Sequence, residues 1–423
     1  MASTEYPATG TPIERAVAEL RTTVAVRERS GQLAARARRG ESAWFDVDDD
    51  AGPRAAAQAV ARATRARYPC LHIPYHSRWR HFEAGGIDRK ARLDALLQDL
   101  SAAGRAHALI DLVMVSVLLD AGAGPDWKYT EPGTGQVHTR SEGLAVASFH
   151  AFLSGLFSSD RLRPLQADAE GLRRLSTARL AEALQVADGN PMVGLEGRAI
   201  LLRQLGEALG ENPGVYGDPG RPGGLFDALV AHSGGEVPPT ASVAAHELLS
   251  HLLMTLSGIW PANNRLHGVA LGDAWCHAAV RGEGESDGWI PFHKLSQWLT
   301  YSLVEPIEWA GVPVRDLHHL TGLPEYRNGG LLLDSGWLRL RDASAATQLW
   351  RPGDEIIVEW RALTVTLLDE LAHGVREELR VPESRLPLAC VLEGGTWAAG
   401  RELAQQRRQG LPPLRVDSDG TVF

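Results

Sequence analysis

Lys294 is one of only three lysines in a chain of 423 residues that otherwise supplies positive charge with arginine. It lies in the segment PFHKLSQWLTYSLVEPIEWAG (291–311), whose apolar residues recur at helical spacing. That spacing places Lys294, Gln297 and Tyr301 on one face of a predicted helix. An ammonium on a half-apolar face is costly unless it is paired or exposed. We therefore treat Lys294 as a candidate catalytic residue and Gln297 as a candidate substrate-binding residue.

A second candidate catalytic group is the carboxylate of Glu325, in the turn GLPEYRNGG (322–330). The proline and the glycines predict a rigid turn, and a rigid turn gives a carboxylate a definite direction. If Glu325 lies near Lys294 it stays ionised, because an opposite charge favours the charged form. A structural ion pair and a catalytic pair are equally compatible with this pattern. Tyr326 and Arg327 share the turn and are predicted to bind substrate.

The segment HIPYHSRWRHFEAGG (72–86) alternates basic and aromatic residues. Such a mixture can bind a phosphate and stack against a flat group. His76, Arg78, Trp79 and Arg80 are therefore candidate substrate-binding residues. The alternative is a surface segment whose aromatic residues anchor it to the core. No metal site is expected, because no acidic or cysteine partner completes a ligand set for the histidines.

A buried helix runs into a small-residue turn in DLVMVSVLLDAGAGPDWKYTE (111–131). Small residues let a ligand or another backbone approach closely. Asp120, Trp127 and Tyr129 follow at this turn and are predicted to bind substrate. Asp111, early in the apolar helix, is interpreted as a cap or a paired buried carboxylate.

Glu359 and Arg361 lie where the segment GDEIIVEWRALTVTLLDEL (353–371) becomes fully apolar. We interpret them as a buried salt bridge and not as catalytic groups. Such a bridge would hold the last long helix against the turn at 325–334.

Composition argues against several classes of protein. The formal net charge is −9, whereas a general nucleic-acid binder needs a basic face that displaces counterions. The three cysteines lie far apart without a CxxC pair, which argues against a disulfide framework or a cysteine zinc site and indicates a cytoplasmic location. No apolar run approaches the ~20 residues that a membrane span requires. We expect neither a nucleic-acid nor a membrane partner.

Helical periodicity dominates the chain, with a nearly all-apolar central helix predicted at 106–122. The pattern predicts a mainly α fold: an N-terminal helical extension at 1–50 and a single helical catalytic domain at 51–423. Short β pieces are predicted near 331–340 and at the C-terminal LRVDSDGTVF. No GxGxxG or GxxxxGK[ST] phosphate loop is present.

Several segments resemble the uracil-catabolism protein four family, formerly a domain of unknown function. They are HSRWRHFEAGG, DLVMVSVLLDAGAG, RSEGLAVAS, PFHKLSQWLTYSLVEP, LTGLPEYRNGGLLLDSG and EWRALTVTLLDEL. The resemblance covers residues 70–400 and implies a role in a ring-opening uracil pathway. In that pathway the base is first converted to its ribonucleotide, the ring is opened to a ribosylurea phosphate, and urea is released.

Three of the same segments are similar in order and spacing to queuosine salvage proteins, which are queuosine 5′-phosphate N-glycosidases. These are helical enzymes related in architecture to helix-hairpin-helix DNA glycosylases. Their catalytic lysine falls on Lys294 and their catalytic aspartate on Glu325. The segment ALIDLVMVSVLLDAGAG (108–124) aligns with their substrate-cradling helix. The change from aspartate to glutamate keeps the carboxylate and moves it by one methylene.

Together the two resemblances imply a hydrolase that cleaves an N-glycosidic bond and releases urea from ribosylurea 5′-phosphate or a related ribonucleotide. They imply Glu325 and Lys294 as the catalytic residues. The partner is expected to be a small phosphorylated ribosyl metabolite, with neither metal nor organic cofactor. The residues proposed to bind substrate are His76, Arg78, Trp79, Arg80, Asp120, Trp127, Tyr129, Gln297, Tyr326 and Arg327.

Two other functions stay open at this point. A phosphoribosyltransferase that makes the uracil ribonucleotide would require magnesium and pyrophosphate chemistry. A non-catalytic nucleotide-binding subunit of the pathway would bind ribonucleotides without turnover and tolerate changes at Glu325.

Overall fold

The computed structural model describes residues 10–230, 240–260 and 264–417, and helices dominate them. The predicted mainly α fold is confirmed. In chain order the helices are α1 (Pro12–Leu20), α2 (Thr23–Arg38), α3 (Gly52–Arg67), α4 (Arg78–Phe82), α5 (Arg89–Leu96), α6 (Ala102–Leu119), α7 (Arg140–Leu153), α8 (Ala169–Arg173), α9 (Thr177–Ala183), α10 (Leu195–Glu211), α11 (Pro213–Tyr216), α12 (Gly224–Val230), α13 (Ala245–Leu256), α14 (Lys294–Trp309), α15 (Tyr326–Asp334), α16 (Glu355–Leu379), α17 (Leu388–Val391) and α18 (Trp397–Arg408).

The strands are short and occur in two-stranded pairs. They are β1 (Phe45–Val47), β2 (Tyr129–Thr130), β3 (Val137–His138), β4 (Val243–Ala244), β5 (Arg265–Leu266), β6 (Val269–Ala270), β7 (Ala274–Cys276), β8 (Trp289–Pro291), β9 (Val314–Arg315), β10 (Leu338–Leu340), β11 (Leu349–Trp350) and β12 (Arg415–Val416). β10 pairs antiparallel with β1, and β12 pairs parallel with β11.

The prediction of short β pieces near 331–340 and at the C-terminus holds only in part. Residues 331–334 belong to α15, and only 338–340 is strand. An apolar run of this length is ambiguous between a buried helix and a strand. In the C-terminal tail β12 covers residues 415–416, while residues 418–423 lie outside the described part of the chain.

α6 is the central helix that the sequence predicts. Almost every side chain from Ala106 to Leu119 is buried, and α6 packs against α7, α10 and α14. Among the described residues, α6 is the helix long and apolar enough to cross a membrane by those two criteria, but 78% of it is buried inside the protein. Its C-terminal end delivers Asp120 to the region described below.

α14 contains a proline yet continues to Trp309. Pro306 has no N–H, so the carbonyl of Ser302 one turn earlier loses its helical partner. That carbonyl instead accepts a hydrogen bond from Trp79 Nε1 at 3.2 Å. Trp79, predicted to bind substrate, thus uses its polar atom to support α14.

Residues 10–50, which were predicted to lie in an N-terminal helical extension, form α1, α2 and β1, and Ala34, Ala37 and Phe45 belong to the main hydrophobic core. α2 packs along α16. From α2, Arg27 donates to Asp369 at 2.8 Å and to the carbonyl of Leu320 at 2.7 Å. In the β1–β10 pair, Phe45 lies opposite Leu340. The N-terminal segment therefore binds the chain on both sides of Glu325, at Leu320 and at β10.

Candidate active site

Lys294 is the first residue of α14, and a buried ion pair holds it there. Its backbone N–H donates to Asp273 Oδ2 at 2.9 Å. Asp273 also accepts two hydrogen bonds from Arg361, at 2.7 Å each. Arg361 Nε in turn donates to the carbonyl of Pro324 at 3.4 Å. One ion pair therefore contacts both the start of α14 and the residue before Glu325.

The face of α14 that carries Lys294 is fixed to the segment preceding Glu325. Gln297 Nε2 donates to Thr321 Oγ1 at 2.6 Å, and its Oε1 accepts from the Thr321 N–H at 2.8 Å. One turn later, Tyr301 donates to the carbonyl of Thr321 at 3.0 Å. Gln297 was predicted to bind substrate, and in this structure both ends of its amide are hydrogen-bonded to protein groups.

Glu325 is the N-cap of α15. Its Oε2 accepts from the Arg327 N–H at 2.7 Å, and its Oε1 accepts from the Asn328 N–H at 2.5 Å. These bonds fix the direction of the carboxylate, and the positive end of the helix favours a negative charge there. The side chain is only partly buried. Even so, burial raises the pKa of Glu325 above its ordinary value, against the opposing effect of the two amides and of Lys294.

Lys294 and Glu325 influence each other's ionisation. Burial, together with the charge of Arg361, lowers the pKa of Lys294 to about 8. The carboxylates of Glu325, Asp273 and Asp120 act in the opposite direction. Within the described ranges the Lys294 ammonium forms neither a hydrogen bond nor an ion pair, although the residue is only 8% exposed. The structure thus brings a poorly solvated ammonium and a fixed carboxylate into one electrostatic neighbourhood.

Arg78 and Asp120 extend this neighbourhood from α4 and from the end of α6. Arg78 is fully buried, and its Nη1 lies 2.9 Å from Asp120 Oδ2. Its Nε donates to Ser116 Oγ at 2.7 Å, and its backbone N–H donates to Ser302 Oγ at 2.9 Å. Arg78 is therefore held by α6 and α14 while it pairs with Asp120.

Two further residues of this region were not singled out as site residues. His81 Nδ1 lies 3.1 Å from Arg78 Nη1, and because a guanidinium only donates, Nδ1 must accept. Burial and the charge of Arg78 lower the pKa of His81 to about 4, so the ring is neutral at pH 7. Trp298, one turn after Lys294, lies with its ring centroid 5.8 Å from the Arg78 guanidinium carbon. Helical spacing is the signal by which the sequence could have indicated both, because His81 follows Arg78 by three residues and Trp298 follows Lys294 by four.

Sequence comparisons assign the chain to a family. Residues 19–423 match the family model described as "Protein of unknown function (DUF1688)". The chain belongs to the DUF1688 family. It is 42% identical over 361 residues to Protein urg3 of Schizosaccharomyces pombe, covering 83% of this chain and 84% of that protein. It is 39% identical over 381 residues to Uracil catabolism protein 4 of Lachancea kluyveri, covering 83% of this chain and 85% of that protein.

The DUF1688 match includes α2 and β1, so it crosses the boundary predicted at residue 50. The match also includes α14, α15 and α16, which position Lys294 and Glu325. All residues of the candidate active site therefore lie within the part of the chain that matches the family model.

Other residues predicted to bind substrate lie in a separate cluster of this DUF1688 protein. His76 Nδ1 lies 3.0 Å from Glu393 Oε2, while Arg67 and Tyr68 donate to Glu393 Oε1 at 2.8 and 3.0 Å. We call these four residues the Glu393 cluster. Beside it, Arg80 pairs with Glu305 at 2.8 Å. The polar groups of His76 and Arg80 are thus committed to protein carboxylates.

The indole of Trp127 is also committed to the protein. Trp127 is 1% exposed, and its Nε1 donates to the carbonyl of Leu184 at 2.9 Å. Tyr129, in β2, is buried beside His150, with 6.2 Å between the ring centroids. Both residues pack the wall of the fold in this structure.

Tyr326 and Arg327 directly follow Glu325, and their side chains contact each other. The Arg327 guanidinium lies over the Tyr326 ring at 4.7 Å, and its Nη1 donates to the carbonyl of Gly410 at 3.0 Å. The guanidinium of Arg327 therefore contacts the C-terminal segment, while its backbone N–H donates to the carboxylate of Glu325.

The predicted salt bridge between Glu359 and Arg361 does not form. Arg361 pairs with Asp273, whereas Glu359 accepts from Ser42 and lies 3.3 Å from His277 Nε2. Residues two apart on a helix point to different sides, which explains the separation. Arg361 does contact the Pro324 carbonyl, as the predicted docking of this helix on the turn requires.

Asp111 is a paired buried carboxylate, as predicted. It accepts two hydrogen bonds from Arg221, at 3.0 and 2.6 Å, and others from the backbone N–H groups of Gly223 and Ala167. Among the described residues, no group of three or more His, Cys, Asp or Glu side chains is arranged to hold a metal ion.

Proposed function

We propose that this protein acts in uracil catabolism as an N-glycosidase that hydrolyses ribosylurea 5′-phosphate, or a related ribonucleotide, to urea and ribose phosphate. The observation that carries the proposal is that the Lys294 ammonium, which has no hydrogen-bond or ion-pair partner among the described residues, lies close enough to the fixed carboxylate of Glu325 for each to influence the pKa of the other. The name of the Lachancea kluyveri relative, Uracil catabolism protein 4, supports the pathway. The reaction is suggested by the resemblance of the segments around Lys294 and Glu325 to queuosine salvage proteins, which rests on the sequence alone.

Glu325 would act on C1 of the ribose. Cleavage of an N-glycosidic bond passes through an oxocarbenium-like sugar, and an ionised carboxylate beside C1 stabilises the developing positive charge. The C1–N bond breaks with its electron pair going to the urea nitrogen. A water molecule adds its oxygen to C1, and its proton passes through Glu325 to the departing nitrogen. The raised pKa of Glu325 makes the carboxylate a better proton acceptor than an exposed one.

Lys294 would bind an oxygen of the ribosyl phosphate, either a phosphate oxygen or a ribose hydroxyl. Its ammonium lies at the positive end of α14, where a cation is electrostatically disfavoured. An anionic or strongly polar ligand group would relieve that cost, and the resulting binding energy would position C1 against Glu325. A compact ammonium fits this space better than a broad guanidinium fork.

Urea release from ribosylurea 5′-phosphate tests the proposal. We expect the native protein to release urea, and Glu325→Gln to lower kcat about 10²- to 10³-fold, because one preorganised charge is lost. Glu211→Gln is the matched control, since Glu211 is exposed at the end of α10. Circular dichroism of both variants checks the fold.

Three results would contradict the proposal. Unchanged urea release by Glu325→Gln would reject the role of this carboxylate. Turnover that requires phosphoribosyl pyrophosphate and magnesium would favour a phosphoribosyltransferase. Tight ribonucleotide binding without turnover would favour a non-catalytic subunit.

A further inference from the structure

We infer that Asp120, Arg78 and Trp298 form a binding subsite for a ureido or amide group, next to the Lys294–Glu325 pair. The inference rests on the proposed function only in naming that group as the leaving group of the reaction. The subsite itself is argued from three polar atoms that find no hydrogen-bond partner among the described residues.

Those atoms are Asp120 Oδ1, Arg78 Nη2 and Trp298 Nε1. The side chains are almost fully buried, with exposures of 9% for Asp120, 0% for Arg78 and 8% for Trp298. Leaving a buried donor or acceptor unpaired is costly, and native proteins rarely do so without a reason. Three such atoms on neighbouring side chains indicate groups that a ligand satisfies.

The three side chains are contiguous through Arg78. Its Nη1 contacts Asp120 Oδ2 at 2.9 Å, and its guanidinium carbon lies 5.8 Å from the Trp298 ring centroid. Asp120 is also close enough to Lys294 to affect its ionisation. Trp298 follows Lys294 by one turn on α14. The unpaired atoms therefore border the same region as the candidate catalytic pair.

The chemistry of the atoms selects the ligand. An ionised carboxylate oxygen only accepts, while the guanidinium and indole nitrogens only donate. A ureido group offers the complement, because its N–H groups donate and its carbonyl oxygen accepts. A phosphate has no donor to offer and would be repelled by the Asp120 carboxylate. The subsite thus fits the –NH–CO–NH₂ end of a ligand and leaves the phosphate to Lys294.

The arrangement also predicts how the subsite discriminates between ligands. A site built to hydrogen-bond a polar group rejects analogues that lack it, since its own buried groups then stay unpaired. Ribose 5-phosphate lacks the ureido group, so it cannot use Asp120 or Trp298 in this way. Its affinity should be insensitive to the loss of the indole N–H.

Calorimetric binding of two ligands, ribosylurea 5′-phosphate and ribose 5-phosphate, tests the subsite. The Glu325→Gln protein serves as background, so that the first ligand is not consumed. We expect Trp298→Phe, which keeps the ring and removes the N–H, to weaken binding of ribosylurea 5′-phosphate roughly tenfold. Its effect on ribose 5-phosphate should stay within about twofold. Asp120→Asn should act in the same direction if it folds.

Trp309→Phe is the matched control, because Trp309 ends the same helix and is 41% exposed. It should change neither affinity. Equal weakening of both ligands by Trp298→Phe, no weakening of either, or failure of the protein to bind ribosylurea 5′-phosphate would each overturn the subsite. A selective loss in a protein that never releases urea would instead support the subsite and overturn the hydrolase.

Discussion

The Glu393 cluster and the candidate site differ in how they affect the ionised forms of their side chains. In the Glu393 cluster, His76, Arg67 and Tyr68 occupy both carboxylate oxygens. Although burial opposes it, the hydrogen bonds and charges of His76 and Arg67 lower the pKa of Glu393 to about 2. In the candidate site, burial prevails: it lowers the pKa of Lys294 and raises that of Glu325.

The difference separates groups that stabilise the fold from groups that stay available to a ligand. Partners in the Glu393 cluster stabilise the ionised form. At Lys294 and Glu325 the ionised forms are disfavoured relative to water. Strongly perturbed groups of this kind concentrate at functional sites, where stability is sacrificed for activity. Substitutions in the two regions should therefore have opposite effects on stability and activity.

The largest expected effect is that of Lys294→Met. We expect kcat/KM to fall by about 10²-fold or more. The folded-state pKa of Lys294 is below its unfolded value, so the charged ammonium destabilises the fold at pH values below about 8. The free energy of unfolding at pH 7 should therefore rise by about 1–3 kcal/mol in the variant. Urea denaturation measures it, and a loss of stability with activity retained would reverse our assignment.

Glu393→Gln should behave in the opposite way. It leaves Arg67 and His76 without an ionised partner, so the free energy of unfolding at pH 7 should fall by about 1–3 kcal/mol. Turnover per folded molecule should stay within about twofold. Because the pKa of Glu393 is lowered, its contribution is present above pH 4.5 and is lost as the pH falls through about 2. Native and variant stabilities should thus converge in strong acid, and a selective loss of kcat would place this cluster in the catalytic machinery.

The smallest effect concerns the pH profile. Activity should fall in acid as Glu325 is protonated, at a pH above its ordinary pKa, and fall again near pH 8 as Lys294 loses its proton. Lys294→Arg should keep the acid limb and lose the alkaline limb, because a guanidinium stays charged. Steady-state rates between pH 5 and about 10 give both limbs. An alkaline limb that persists in this variant would assign it to another group.

The sequence predicted the helix that carries Lys294 and the buried central helix. The turn predicted at 322–330 is wrong in its second half, because Tyr326 to Gly330 begin α15 and Glu325 is the N-cap of that helix. It could not separate Arg78 from Arg80, although they lie two residues apart on α4. Two residues are about 200° of helical rotation, so Arg78 reaches Asp120 while Arg80 reaches Glu305. The sequence analysis treated 72–86 as one basic and aromatic patch because it did not predict the short helix α4.

The sequence also could not predict which residues the buried polar side chains bind. Helical spacing placed Gln297 on the face of Lys294, but its hydrogen bonds to Thr321 depend on how the chain returns after α14. In the same way Arg361 pairs with Asp273, which lies 88 residues earlier, and not with its neighbour Glu359. Periodicity reports the direction of a side chain, whereas its partner is set by tertiary packing.

The β1–β10 pair bears on how the protein reaches its final form. Next to it, Arg341 binds Asp46 across 295 residues of chain. Translation proceeds at about 5–20 residues per second, so β10 is synthesised tens of seconds after β1. The pair cannot form before then. Glu325 is synthesised shortly before β10, so the candidate active site can form only late in synthesis. A product that terminates before residue 325 would carry α6 and Asp120 without the carboxylate of Glu325.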